Sequence, residues 1–261
     1  MDEKYRRFVN EVDFSRQLLG IGLTSLRKAN FSERGTYFQA LSSISLGLER
    51  LMKLCLILDD HNKTGEYTSQ KDLKKYGHDL TSLFKLIHQR ANVEINLRDA
   101  NLKALKLLTT FAKSSRYSNI DFITGDLDND PIREWHNEID ASIFQDILTD
   151  KQQRKIMEEC ELYRRIGANM SAITTGHYDE NGNEISSVSE LAYLIKESDM
   201  LSGYRVLLII QIIESICDIL NYFTHNPREN WFNFLELNRM FANITYGSDS
   251  EKRKRKTFDR Y

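Results

Sequence analysis

Glu49 and Lys53 stand four residues apart in an otherwise apolar stretch, Ser42 to Asp59. Glu comes first, the favourable order for an ion pair on one helical face. His78 and Asp79 open a second apolar run that begins at Leu80. Glu49, Lys53 and Asp79 thus form a candidate polar cluster where two helices would meet, with His78 beside it. A histidine there would act as general acid or base, and an arginine would stabilise charge on a phosphate. The candidates for such a site are His78, Arg50, Arg116 and His136, paired in space as Arg50 with His78 or Arg116 with His136. The plainer reading of the same residues is a helix cap, a surface ion pair and a satisfied histidine. Residue types alone leave both readings open.

A third chemistry is suggested by Lys252, Arg253, Lys254, Arg255 and Lys256, five consecutive positive charges near the C-terminus. Such a run contacts phosphates without sequence preference, so RNA, DNA or an acidic protein would be its partner. No aromatic residues interleave it, so a base-stacking platform is not indicated. Asp126, Asp128 and Asp130 alternate like the start of a calcium loop, but Pro131 and Asn137 occupy the positions that need Gly and Glu. They read better as acids preceding a helix. The oxygen donors Asp179, Asn181, Asn183 and Glu184 are accounted for by turn chemistry. No metal and no cofactor is expected. Cys55, Cys160 and Cys217 are far apart, odd in number and without a CxxC pair, which reads as buried free thiols. P-loop, GxGxxG, GxSxG and HExxH motifs do not occur, which disfavours loop-motif nucleotide hydrolysis and α/β-hydrolase chemistry.

The elements that must position these residues are predicted to be helices. Only two prolines and 12 glycines punctuate 261 residues, so long uninterrupted elements are expected. Apolar periodicity predicts helices over 3–29, 32–59 with Ser32 as cap, 80–89 capped by Asp79, 98–114, 132–148, 151–173, 189–197, 200–224 and 231–244, with a short helical turn over 70–76. Residues 114–131 read as a break. Asn181-Gly182 favours a type I′ turn, predicting a small β-hairpin within 174–188. The fold class is all-α: a multi-helix bundle of about eight or nine helices with that one hairpin. Three segments are expected: a helical bundle over 1–120, a helical extension or second half over 121–245 that can be continuous with it, and a basic disordered tail over 246–261.

A net charge of −2 gives no global field toward nucleic acid or membrane. The start of the chain is charged, and the most apolar run, Val206 to Ile213, is well short of the ~20 residues that span a bilayer. The expected location is cytoplasmic, with no membrane partner.

Gly47-Leu48-Glu49-Arg50-Leu51-Met52-Lys53, a variable loop, Gly77-His78-Asp79-Leu80 and then Ser115-Arg116-Tyr117 together resemble the HEPN superfamily (higher eukaryotes and prokaryotes nucleotide-binding domains) over roughly residues 35–120. The resemblance implies an α-helical bundle, commonly a homodimer, with roles in RNA cleavage, toxin–antitoxin pairs or phage defence. The chain departs from the ribonuclease pattern of such domains, an Arg four to six residues before a His. None of its six histidines has one, and Arg133 stands only three positions before His136. The leading expectation is therefore a HEPN-like protein of a prokaryotic toxin–antitoxin or phage-defence system, non-catalytic, binding RNA, a protein partner or a second copy. The alternatives are a metal-independent endoribonuclease with a displaced Arg/His site, and a purely structural helical subunit of a complex.

Overall fold

The structure, a computed structural model, describes residues 3–125, 129–170, 176–225 and 237–259. Among these are eleven α-helices and no strand: α1 (Glu3–Lys28), α2 (Arg34–Thr64), α3 (Gln70–Lys75), α4 (Leu80–Ala91), α5 (Asp99–Lys113), α6 (Ser118–Ile123), α7 (Pro131–Trp135), α8 (Asp150–Ala168), α9 (Val188–His225), α10 (Ala242–Thr245) and α11 (Asp249–Lys254). The all-α class holds, with more helices than the eight or nine expected, because the polar breaks contain short ones. Residues 114–131 hold a 3-10 turn and α6. The stretch 132–148 is α7 followed by two π-helical turns, His136–Asp140 and Ile143–Ile147.

Local chemistry explains the boundaries. Asn30, not Ser32, makes the cap before α2, its side chain accepting from the Ser32 and Glu33 N–H groups. Asp79 caps α4 by accepting from Ser82 N at 2.9 Å. Thr149 and Gln152 form a reciprocal capping box at the start of α8.

α9 is the spine. It packs against α1, α2, α4, α5, α8 and α11. Its inner side chains, among them Val206, Ile209, Ile213 and Leu220, are buried in one apolar cluster with Leu23 of α1, Leu48 and Leu51 of α2, Leu83 and Ile87 of α4, and Ile156 of α8. By length and composition Val188–Thr224 could cross a membrane; 67% of its most apolar window is buried in the bundle.

Two predicted helices, 189–197 and 200–224, are this one helix. The polar stretch between them continues because its serines find local partners: Ser202 Oγ donates to Asp199 O at 2.6 Å, and Ser198 Oγ accepts from Arg205 at 3.0 Å.

The predicted hairpin is not formed. A single antiparallel bridge joins Tyr178 and Glu184. Gly182 alone of the Asn-Gly pair has a positive φ, so the turn is not type I′. Asp179 Oδ1 instead takes the Asn183 N–H at 2.8 Å, closing the loop through a side chain. Residues 174 and 175 of that expected hairpin, 171–173 of the expected α8 and 231–236 of the expected last helix lie outside the described residues.

The basic C-terminal stretch is not a disordered tail. α11 is capped by a Ser248–Glu251 box and lies against α9. Two glycines admit it: a Cβ on Gly203 would sit 2.6 Å from Arg253 O, and one on Gly20 2.5 Å from Phe258 O. Phe258 is then buried, anchoring the end of the segment.

Candidate functional site

α2 presents Glu49 toward the turn before α4. Glu49 is buried and accepts from Lys53 Nζ at 2.7 Å and from His78 Nδ1 at 2.8 Å. Lys53 Nζ also donates to Gly77 O at 3.0 Å, which fastens the turn to α2; Gly77 has φ +53, a conformation that suits glycine. Asp79, besides capping α4, accepts from Lys113 Nζ at 3.1 Å, so the same turn is tied to the end of α5. Of the predicted polar cluster, Glu49 and Lys53 meet, with His78 on them, while Asp79 on the same turn is engaged with Ser82 and Lys113 instead.

Burial acts to raise the Glu49 pKa, but the hydrogen bonds and charges of Lys53 and His78 outweigh it and hold the carboxyl below its usual range. An ionised carboxylate only accepts, so the imidazole proton sits on Nδ1 and Nε2 is the ring's acceptor when His78 is neutral. The His78 side chain is 57% exposed. It lines a pocket of about 140 Å³ together with Glu49, Ser42, Ser45, Phe111 and Arg116. Arg116 spends one donor on the Ala112 carbonyl at the end of α5. The chain that follows it carries Tyr117, Ile120, Phe122 and Ile123, all exposed.

The other two candidates lie elsewhere. Arg50 points to α1, where it pairs with Glu11 and stacks on Phe14 with 4.7 Å to the ring centroid. One step along a helix turns a side chain by about 100°, which sends Glu49 to the pocket and Arg50 away from it. His136 belongs to a second polar centre. Its Nδ1 lies 3.4 Å from Asp140 Oδ2. Asp140 in turn makes a buried two-point pair with Arg205, Nε–Oδ1 2.7 Å and Nη2–Oδ2 2.6 Å. Tyr37 lies under that guanidinium at 5.6 Å. Neither expected pairing, Arg50 with His78 or Arg116 with His136, is made; His78 and Arg116 share a pocket instead.

Sequence reading missed the Arg205 centre. Its signal is an arginine interrupting an apolar run, Tyr204-Arg205-Val206-Leu207-Leu208, with His136 and Asp140 four apart elsewhere. The run Lys252–Lys256 is also largely committed. Lys252 is buried against Glu214, Arg253 stacks on Tyr204 at 4.5 Å, and Arg255 caps the carbonyls of Asn243, Ile244 and Tyr246. Lys254 and Lys256 stay exposed. Five charges in a row thus do not form a solvated tail, because the Lys252, Arg253 and Arg255 side chains reach back to the bundle.

Asp130 caps α7 by accepting from Ile132 N at 2.9 Å and pairs with Arg34; Asp126 and Asp128 lie outside the described residues. Among the described residues no three His, Cys, Asp or Glu side chains are grouped to hold a metal ion. Set against family models, curated proteins and solved structures, the chain matches none, so its functional reading rests on this geometry and on the resemblance in its motifs.

Proposed function

We propose that this chain is a HEPN-like helical protein of a prokaryotic toxin–antitoxin or phage-defence system, and that it binds single-stranded RNA at the His78–Arg116 pocket without cutting it. The observation that carries this is that Arg116, which lines the pocket, is followed directly in the chain by the exposed ring of Tyr117, with the exposed ring of Phe122 in the helix after it. A guanidinium has five donors, and Arg116 uses one on the end of α5, leaving others for a phosphate. Exposed rings offer stacking faces to unpaired bases. The biological setting comes with the motif resemblance.

Binding without cleavage is favoured because metal-independent phosphodiester cleavage uses both a base and an acid. The pocket holds one imidazole, and Arg50 and His136 are engaged elsewhere. One observation favours ribonuclease action as the second reading: Glu49 orients His78 with Nε2 as acceptor, the arrangement of a general base. A second copy would supply the missing acid.

Fluorescence anisotropy with labelled single-stranded RNA in EDTA, followed by gel analysis of the RNA, separates these readings. Binding of intact RNA is expected. Tyr117→Ala and Arg116→Ala should each weaken it by about 1–3 kcal/mol, the worth of a stacked base or a charged hydrogen bond. RNA cut by the wild type and spared by His78→Ala would replace binding with the ribonuclease reading. No RNA bound at low salt would end both.

A further inference from the structure

We infer that a second site, at the junction of α1, α9 and the C-terminal segment, takes a small phosphorylated ligand. A cavity of about 310 Å³ lies there, lined by Arg27, Lys28, Ser198, Asp199, Ser202 and Lys256 among others, and it shares no lining residue with the His78 pocket. That volume is at the lower end of small-molecule sites and exceeds a bare phosphate.

The charges are unbalanced in favour of an anion. Three cations face one carboxylate. Asp199 is 60% exposed and stands 3.6 Å from Arg27 Nη1 and 3.9 Å from Lys256 Nζ, too far to hydrogen-bond either. A phosphate dianion would neutralise the surplus and displace this loose counter-ion.

One of these cations is built in, while Lys28 and Lys256 are exposed. The Arg27 side chain is only 9% exposed, and its Nη1 donates to Ser202. Its Nε is buried and has no hydrogen-bond partner, so the guanidinium is short of acceptors within the fold. The backbone that carries Lys256 is fastened on both sides, by the carbonyl-capping Arg255 and by buried Phe258, while its side chain is exposed.

One effect opposes an anion here: the C-terminal end of a helix carries partial negative charge. At α1 that charge is offset. Ala29 O accepts from Arg205 Nη1 at 3.2 Å and from Ser198 Oγ at 3.5 Å, and Lys28 O accepts from Asn30 Nδ2 at 3.3 Å.

The test is calorimetric titration of the full chain with inorganic phosphate and with adenosine monophosphate at constant ionic strength. One saturable site is expected, tighter for the nucleotide. Arg27→Gln risks the fold, so two exposed positions carry the test. Lys256→Gln should weaken binding about tenfold, the loss of one charged hydrogen bond. Asp199→Asn should tighten it, since it removes the competing carboxylate. Failure of both probes to saturate overturns the proposal. So does binding that ignores Lys256→Gln or is not tightened by Asp199→Asn, or uptake confined to a 5′-phosphorylated RNA. Because Tyr117 and Arg116 line no part of this cavity, their variants leave its binding unchanged, and the two proposals fail separately.

Discussion

His136 is a histidine whose role is set by its neighbours rather than by its type. In the sequence it qualifies as a candidate base. In the fold it abuts Asp140, which is already paired with Arg205, and Glu180 and Glu197 face the same centre. Contact with Asp140 raises the His136 pKa above its ordinary value, against burial, which lowers it. Glu180 and Glu197 are raised too, chiefly by burial. A histidine whose folded pKa is raised stabilises the fold fully below its unfolded pKa, near 6.5, and that stabilisation is lost as pH rises through the folded value. The two glutamates work in the same direction at lower pH. Parent protein should therefore outlast His136→Gln on heating at pH 6, and the gap should narrow as the pH is raised from about 6.5 through the folded value. Melting temperatures across that range at constant ionic strength check this; a gap that stays constant with pH would mean that His136 contributes only packing. The reason this centre was illegible is sequence distance: Asp140 and Arg205 are far apart in the chain, and nothing local announces their pairing.

At the scale of elements, the sequence was most readable where a local rule decides the outcome. Asp79 before Leu80 and Thr149 before α8 are caps by residue type, and both cap. It was least readable where an element's fate depends on a distant surface. Lys252–Lys256 reads as a solvated tail because its charges are visible and its seat is not. That seat is made by Gly203 and Gly20, whose missing side chains let α11 and Phe258 approach. The two effects of an alanine at such a site can be separated. Helix propensity alone favours Ala over Gly by up to about 1 kcal/mol. Gly35, in α2, has nothing within 4 Å of a would-be Cβ, so Gly35→Ala should stabilise by that amount. At Gly203 the Cβ would meet the backbone oxygen of Arg253, which cannot swing aside. Overpacking there should outweigh propensity, making Gly203→Ala destabilising by about 1–3 kcal/mol. Hydrogen exchange should then quicken over 249–258 while α4 stays protected. Equal effects at the two glycines would mean that α11 does not rest on α9 as described.

At the scale of the molecule, periodicity alone conveyed an all-α bundle, and the motif around Glu49 and His78 conveyed one true cluster within it. What periodicity cannot convey is how many cores the helices share. The composition on either side of residue 121 is alike, so one bundle and two were equally consistent with the sequence. α9 is the element that bears on the choice, since it packs on helices of both segments. It carries one face to α2, α4 and α5 and another to α8, so cutting into its middle removes packing from both halves at once. Ile209 is fully buried in that stretch. Ile209→Ala should cost about 2–5 kcal/mol, the transfer of the side chain plus the cavity left behind. If the molecule unfolds as one cooperative unit, that cost is felt identically wherever it is measured. In a Trp231→Phe background, the emission of buried Trp135 reports the second half, and exchange of the α4 amides reports the first. Urea titration should shift both midpoints together by the same free energy. A shift in Trp135 emission with α4 protection unmoved would divide the chain into two independently stable bodies, and α9 would then belong to only one of them.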